Sequence, residues 1–168
     1  ADAVGVYLAF ALSRGADKWA SLAIWNVVGE KIEHVFGMQT LRMTWDYAEG
    51  NAFSSSTGNW TSAIAWGERF LKTHNSHIIG FANQSDAQSQ SLSFGKLVST
   101  DPPYYDNVGY ADLSDFFYVW LRRALKSVFP DIFATLTVPK IEELVATPDR
   151  HGGKEKAESF FLDGMIQA

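Results

Sequence analysis

Two adjacent prolines, Pro102 and Pro103, stand between a short apolar run, "GKLVS", and a strongly aromatic pattern of helical period that opens near Asp112. Each proline fixes φ and removes a backbone donor, so neither a strand nor a helix can continue through the pair. The chain must therefore run strand, rigid loop, helix at this point, which is half of a βαβ unit. The runs "HIIGFA" (77–82) and "KLVST" (96–100) are short, apolar and bounded by polar residues, as expected of buried parallel strands. The helix is expected from about Asp112 to Val128. Its buried side would carry Leu113, Phe116, Phe117, Trp120, Leu121 and Leu125, with Arg122, Arg123 and Lys126 suiting the negative end of its dipole.

Ahead of this the periodicity is helical. Asp2 is placed to cap a helix with apolar positions Val6, Leu8, Ala9 and Leu12, and "RGAD" (14–17) is expected to end it and cap a second. The stretch from Ile24 to Phe53 mixes periods and assigns no element. "SSSTGN" reads as a polar loop before an amphipathic helix, "WTSAIAWGERFLKTH", with Ile64, Phe70 and Leu71 inward.

The chain's 168 residues can bury the core of one ordinary domain. No run of eighteen uncharged apolar residues occurs, and the first residues lack a basic leader, so a soluble cytoplasmic protein with no membrane partner is expected. The absence of cysteine agrees with a reducing compartment and excludes a thiolate zinc site. A net charge of -5 argues against a chain that is itself one large nucleic-acid surface. Any contact with nucleic acid must be local or shared with other sequence. The start at Ala1 and the uncapped helical pattern at Ala168 suggest a middle piece of a longer polypeptide, whose missing parts would be its first partners. Apolar edges left without those parts would favour self-association.

In an open α/β sheet, ligands bind beyond the carboxyl ends of the strands, which is where Asp101 falls. The prolines make the Asp101 carboxylate and the Pro102 carbonyl a rigid pair of acceptors, and such a pair suits an NH2 group. An aromatic amine is a poor nucleophile because its lone pair is delocalised into the ring. Two acceptors gripping its hydrogens favour a pyramidal nitrogen able to attack a methyl sulfonium held in line. Tyr104 then offers a flat face on which a base taken out of a duplex can stack.

The run Asp101-Pro102-Pro103-Tyr104 resembles the catalytic tetrapeptide of amino-group DNA methyltransferases, which use S-adenosylmethionine to methylate exocyclic nitrogens of adenine or cytosine. Asp in first place is more typical of the adenine-modifying members. The longer run "TDPPYYDNVGYADLSDFFYVWLRR", with "FGMQTLRMTWDYAEGNAFSSSTGNW" and "HGGKEKAESFF", resembles large archaeal and bacterial proteins described as adenine-specific DNA methylases carrying a zinc ribbon. The resemblance implies an α/β fold: part of a Rossmann-like methyltransferase sheet over residues 76–168, with a mainly helical portion over 1–75. It implies S-adenosylmethionine as cofactor and DNA as partner. The family's glycine-rich cofactor loop and zinc-ribbon cysteines are not in this sequence. Asp101, Pro102, Pro103 and Tyr104 are the catalytic candidates, and Asp86 and Asp101 the cofactor candidates. Cytosine, RNA or a protein amide are alternative substrates, and a non-catalytic interaction module of the same fold is the alternative of another class.

Other residues carry two readings each. Tyr105, Asp106 and Asn107 either line the base pocket with Tyr104 or brace the loop. Asp86 resembles the acid such enzymes place near the cofactor adenine, although Ser85 replaces the usual glycine. His74 and His77 have a spacing of three but no third ligand, so no metal is expected there. "RHGGKEKA" (150–157) can set amides and Lys154 against a phosphate, yet a glycine turn opening a solvated helix explains it more simply. Trp45, Asp46 and Tyr47 fit aromatic core packing better than a substrate surface.

Overall fold

The structure is a computed structural model that describes residues 1–74 and 79–168. Its elements are α1 (Asp2–Trp19), β1 (Trp25–Asn26), β2 (Lys31–Ile32), α2 (Trp60–Thr73), α3 (Tyr110–Leu125), α4 (Pro148–His151) and α5 (Lys154–Gln167). They divide between two compact units. The first comprises Ala1–Ile79 and Leu113–Thr137, the second Gly80–Asp112 and Val138–Ala168. No described helix is long and apolar enough to cross a membrane.

In the first unit α1 is continuous, and the break expected at "RGAD" does not occur. Gly15 is a packing residue instead of a stop. A Cβ there would lie 2.1 Å from the Trp19 ring, so the missing side chain lets the indole one turn on fold down over the helix. That ring meets Trp60 at 6.1 Å, and its Nε1 donates to the Gly58 carbonyl at 3.0 Å, tying the start of α2 to α1. Asp2 is the first helical residue and Ala1 the cap, so the acid acts on the dipole without capping. The unassigned stretch after α1 holds a hairpin, with Trp25 opposite Ile32 and Asn26 opposite Lys31. Asn26 closes its turn by accepting from the Gly29 amide at 2.8 Å and donating to Glu33 at 2.9 Å.

Helix α2 forms where its period places it and is capped by Asn59, whose side chain accepts from the Ser62 amide at 2.7 Å. Its buried residue is Ala63, however, and Phe70 and Leu71 are exposed. Ala11 lies on the same side of α1 as Gly15 and Lys18 and is buried, as is Ala63 of α2, while Ala9 and Ala16 are buried on the opposite side of α1. Within the first unit's share of α3, Tyr118 and Leu125 are buried while Trp120 is exposed. Tyr118 can sit deep because its hydroxyl donates to the Thr135 carbonyl at 2.9 Å and its ring packs on Phe133. Phe116 and Phe117 both pack on Phe36, with ring centres 5.3 and 5.2 Å away. Trp45 and Tyr47 are exposed, which corrects their assignment to the core.

The second unit is held by α4, α5 and loops around Val108, Ala111, Val145, Ala146 and Ala157, all buried. Gly152 and Gly153 take φ of 73° and 123° between α4 and α5, so "HGGK" is a helix-to-helix turn, as its glycines suggest. The expected strand at 96–100 is not formed. A strand is stable only when a neighbouring strand takes its amides and carbonyls, and among the described residues no strand pairs with this run; Leu97 and Val98 are exposed. Of the expected strand at 77–82, His77 and Ile78 lie outside the described residues and residues 79–82 are irregular, with Ile79 and Phe81 exposed. Among the described residues the sheet content is the β1–β2 hairpin.

Candidate functional site

The site is built from the loop that the two prolines stiffen. Asp101, Pro102, Pro103 and Tyr104 line one open cavity of about 380 Å³, together with Tyr110 and Glu143. Asp101 and Pro102 are exposed, and among the described residues no donor takes the Asp101 carboxylate or the Pro102 carbonyl. Both acceptors are thus unoccupied. Tyr104 is 62% exposed and presents its ring to the same space.

After Tyr104 the chain turns. The Asn107 amide donates to the Tyr104 carbonyl at 3.3 Å, and the Ala146 amide donates to the Tyr105 carbonyl at 2.8 Å. The Tyr105 hydroxyl donates to Glu158 on α5 at 2.7 Å, and its ring meets Phe161 edge-on. The hydrogen bond to Glu158 is the chief reason its pKa is pushed up to about 12, with burial and the charges of Glu158 and Asp106 adding to it. Tyr105 therefore braces the loop. Asp106 and Asn107 are exposed in the turn and do not line the cavity.

Glu143 was not a sequence candidate, and it is the most constrained side chain of the site. One oxygen accepts from the Ala111 amide in the first turn of α3 at 2.8 Å, and the other from Arg150 at 2.6 Å. Arg150 also reaches Asp112 at 2.5 Å and the Lys140 carbonyl at 3.0 Å. Burial pulls the Arg150 pKa down, but the bonds to Glu143 and Asp112 outweigh it and the net shift is upward. With both oxygens engaged, Glu143 is an acceptor for the helix start and no free base. A signal for it did exist: Gly109 precedes α3 and has no side chain to cap it, so an acceptor had to come from elsewhere.

Asp86 is not in the cavity. Its carboxylate accepts from the Gln88 amide at 3.0 Å and from Ser89 Oγ at 3.4 Å, closing its own turn. Of the two cofactor candidates, Asp86 is engaged in its own turn, whereas Asp101 is exposed and unpartnered among the described residues; the Gly152–Gly153 turn joins two helices and is not the glycine turn after a strand that the methionine part of S-adenosylmethionine needs. His74 stacks on Phe70 at 4.9 Å, and its expected neighbour His77 lies outside the described residues. No protein-family model, curated protein or solved structure matches this chain.

Proposed function

We propose that this chain carries the amine-binding loop of an S-adenosylmethionine-dependent methyltransferase that acts on the exocyclic amino group of adenine in DNA. The observation that carries the reading is the shared cavity of Asp101, Pro102, Pro103 and Tyr104, with two acceptors, unpartnered among the described residues, beside an exposed aromatic ring. Two neighbouring free acceptors favour an NH2 group over a hydroxyl or a ring nitrogen, because both of its hydrogens can be used at once. The adjacent ring face suits a flat base removed from its stack. In this reading Asp101 and the Pro102 carbonyl hold the amine, Pro103 keeps the loop rigid, Tyr104 stacks the base, and Tyr105 with Glu143 fixes what lies behind them. The cofactor is bound by sequence outside this chain, which belongs to a partial Rossmann-like domain of a cytoplasmic enzyme.

The test is made on the full-length polypeptide that contains this sequence. Transfer of labelled methyl from S-adenosylmethionine to duplex DNA is measured for the parent and for Asp101→Ala. A preorganised polar contact of this kind is worth roughly a hundredfold in rate, so the variant should fall by about that factor. Equal rates remove Asp101 from the chemistry, and a parent that methylates no adenine overturns the reading.

A further inference from the structure

The net charge of -5 makes any local excess of cations in this chain conspicuous. One occurs in the first unit, around Trp66 of α2. The guanidinium carbons of Arg14 and Arg69 lie 5.1 and 4.9 Å from the centre of its ring. Lys18 stands one turn beyond Arg14 on α1. None of the three forms an ion pair among the described residues: the nearby acids Asp17 and Glu68 are taken by His34 and Lys72. The indole attracts each guanidinium, but by only about 1 kcal/mol at an exposed position, and it does nothing for the repulsion between them.

Two of the three, Arg14 and Lys18, border a shaped space. Arg14, Lys18, Ser55, Ser56, Thr57 and Trp66 are among the residues lining a cavity of about 360 Å³. The loop that forms its other wall is fixed by the bond from Trp19 Nε1 to the Gly58 carbonyl. Gly58 has a φ of 89°, and a Cβ there would come 2.9 Å from Lys18 Cδ, so the glycine lets the lysine stem lie across the loop. Ser56 is bonded to Ser54 at 2.6 Å, whereas the hydroxyls of Ser55 and Thr57 have no partner among the described residues. The start of α2 contributes little here, since Asn59 already takes the Ser62 amide.

Unneutralised cations beside free hydroxyls and a fixed loop match a tetrahedral oxyanion, which takes charge-assisted bonds from both kinds of donor. We propose that this cavity binds a phosphate group, supplied by a nucleic-acid strand or by a free nucleotide. The proposal stands apart from the methyltransferase reading, because it concerns binding by this chain alone. It is tested by titrating the isotope-labelled chain with inorganic phosphate, adenosine monophosphate and a short single-stranded oligonucleotide, following amide shifts of Ser55–Gly58 and the Trp66 indole. All three ligands should move those signals. The double variant Arg14→Gln, Lys18→Gln should bind about tenfold more weakly, and its oligonucleotide affinity should depend less on salt, with a log–log slope smaller by about 1.5. An oligonucleotide that binds much more tightly than the mononucleotide identifies a strand as the source; equal affinity identifies a free nucleotide. Shifts elsewhere only, or identical titrations of parent and variant, overturn the proposal. If the double variant loses helix content, Lys18→Gln alone, which removes one lining cation, carries the comparison with a slope smaller by about 0.7.

Discussion

Residues 101–104 and 105–112 are consecutive in sequence and opposite in construction. In the first four, the Asp101 carboxylate and the Pro102 carbonyl have no partner among the described residues and the one large side chain is mostly in solvent. In the next eight, several groups at Tyr105, Ala111 and Asp112 are tied down. The Tyr105 carbonyl and hydroxyl, the Ala111 amide and the Asp112 carboxylate all have partners from the segment between Glu143 and Glu158, and Val108 and Ala111 are buried. Placing an exposed, unsatisfied loop directly before a cross-braced one costs the fold little. The bracing residues hold the geometry, and the open ones are left to meet a ligand.

The sharpest way to break that contrast is to remove the brace. Glu143→Ala strips the Ala111 amide of its acceptor and leaves Arg150, whose side chain is 13% exposed, without its better partner. Because Arg150 keeps Asp112 and the Lys140 carbonyl, the cost should be about 1–2 kcal/mol, that of a helix-start amide left without its acceptor and one weakened ion pair. Urea unfolding should show that loss, and hydrogen exchange of the Ala111 amide should accelerate with it. Asp101→Ala in the same assay should change stability by no more than about 0.5 kcal/mol, since nothing in the chain leans on that carboxylate. Equal destabilisation by the two changes would mean that residues 101–104 are structural after all.

A second comparison concerns the two neighbouring tyrosines. Tyr104→Ala in the full-length polypeptide should weaken capture of an extruded base by about 1–3 kcal/mol, read as fluorescence of 2-aminopurine at the target position, and should leave unfolding unchanged. Tyr105→Ala should do the reverse, lowering stability through the lost contacts with Glu158 and Phe161. If Tyr104 and Tyr105 exchange these effects, the base-stacking face has been assigned to the wrong ring.

How far the sequence discloses all this depends on the range of the interaction. Helix α2 and most of α3 were legible because their pattern repeats every three or four residues, and the Asp101 loop because two prolines act locally. Gly15 was misread because a glycine that ends a helix and one that admits an indole look alike until Trp19 is seen folded over it. Leu97 and Val98 have the composition of a buried strand but lack neighbours within the described residues, and no local pattern reports a missing neighbour. Glu143 acts on an amide 32 positions away, so its part could be inferred only as an unmet need at Gly109.

The smallest expected effect isolates the brace at Tyr105 by pH. Its hydroxyl pKa is raised to about 12, chiefly by the bond to Glu158, against an ordinary value near 10 in the unfolded chain. A group with a raised folded-state pKa contributes its stabilisation in full below the unfolded value and loses it as pH climbs through the folded one. The contribution is therefore complete up to about pH 10 and disappears towards about pH 12, where the phenolate would face the Glu158 carboxylate. Tyr105→Phe keeps the ring on Phe161 and deletes only the hydroxyl. Parent and variant should differ in urea midpoint at about pH 8, and the difference should shrink steadily between about pH 10 and 12 while the other tyrosines and lysines titrate equally in both. A gap that is constant over that range would show that the hydroxyl does not hold Glu158 in solution, and the bracing of residues 105–112 would then rest on the Ala146–Tyr105 backbone bond, the Phe161 contact, Glu143 and Arg150.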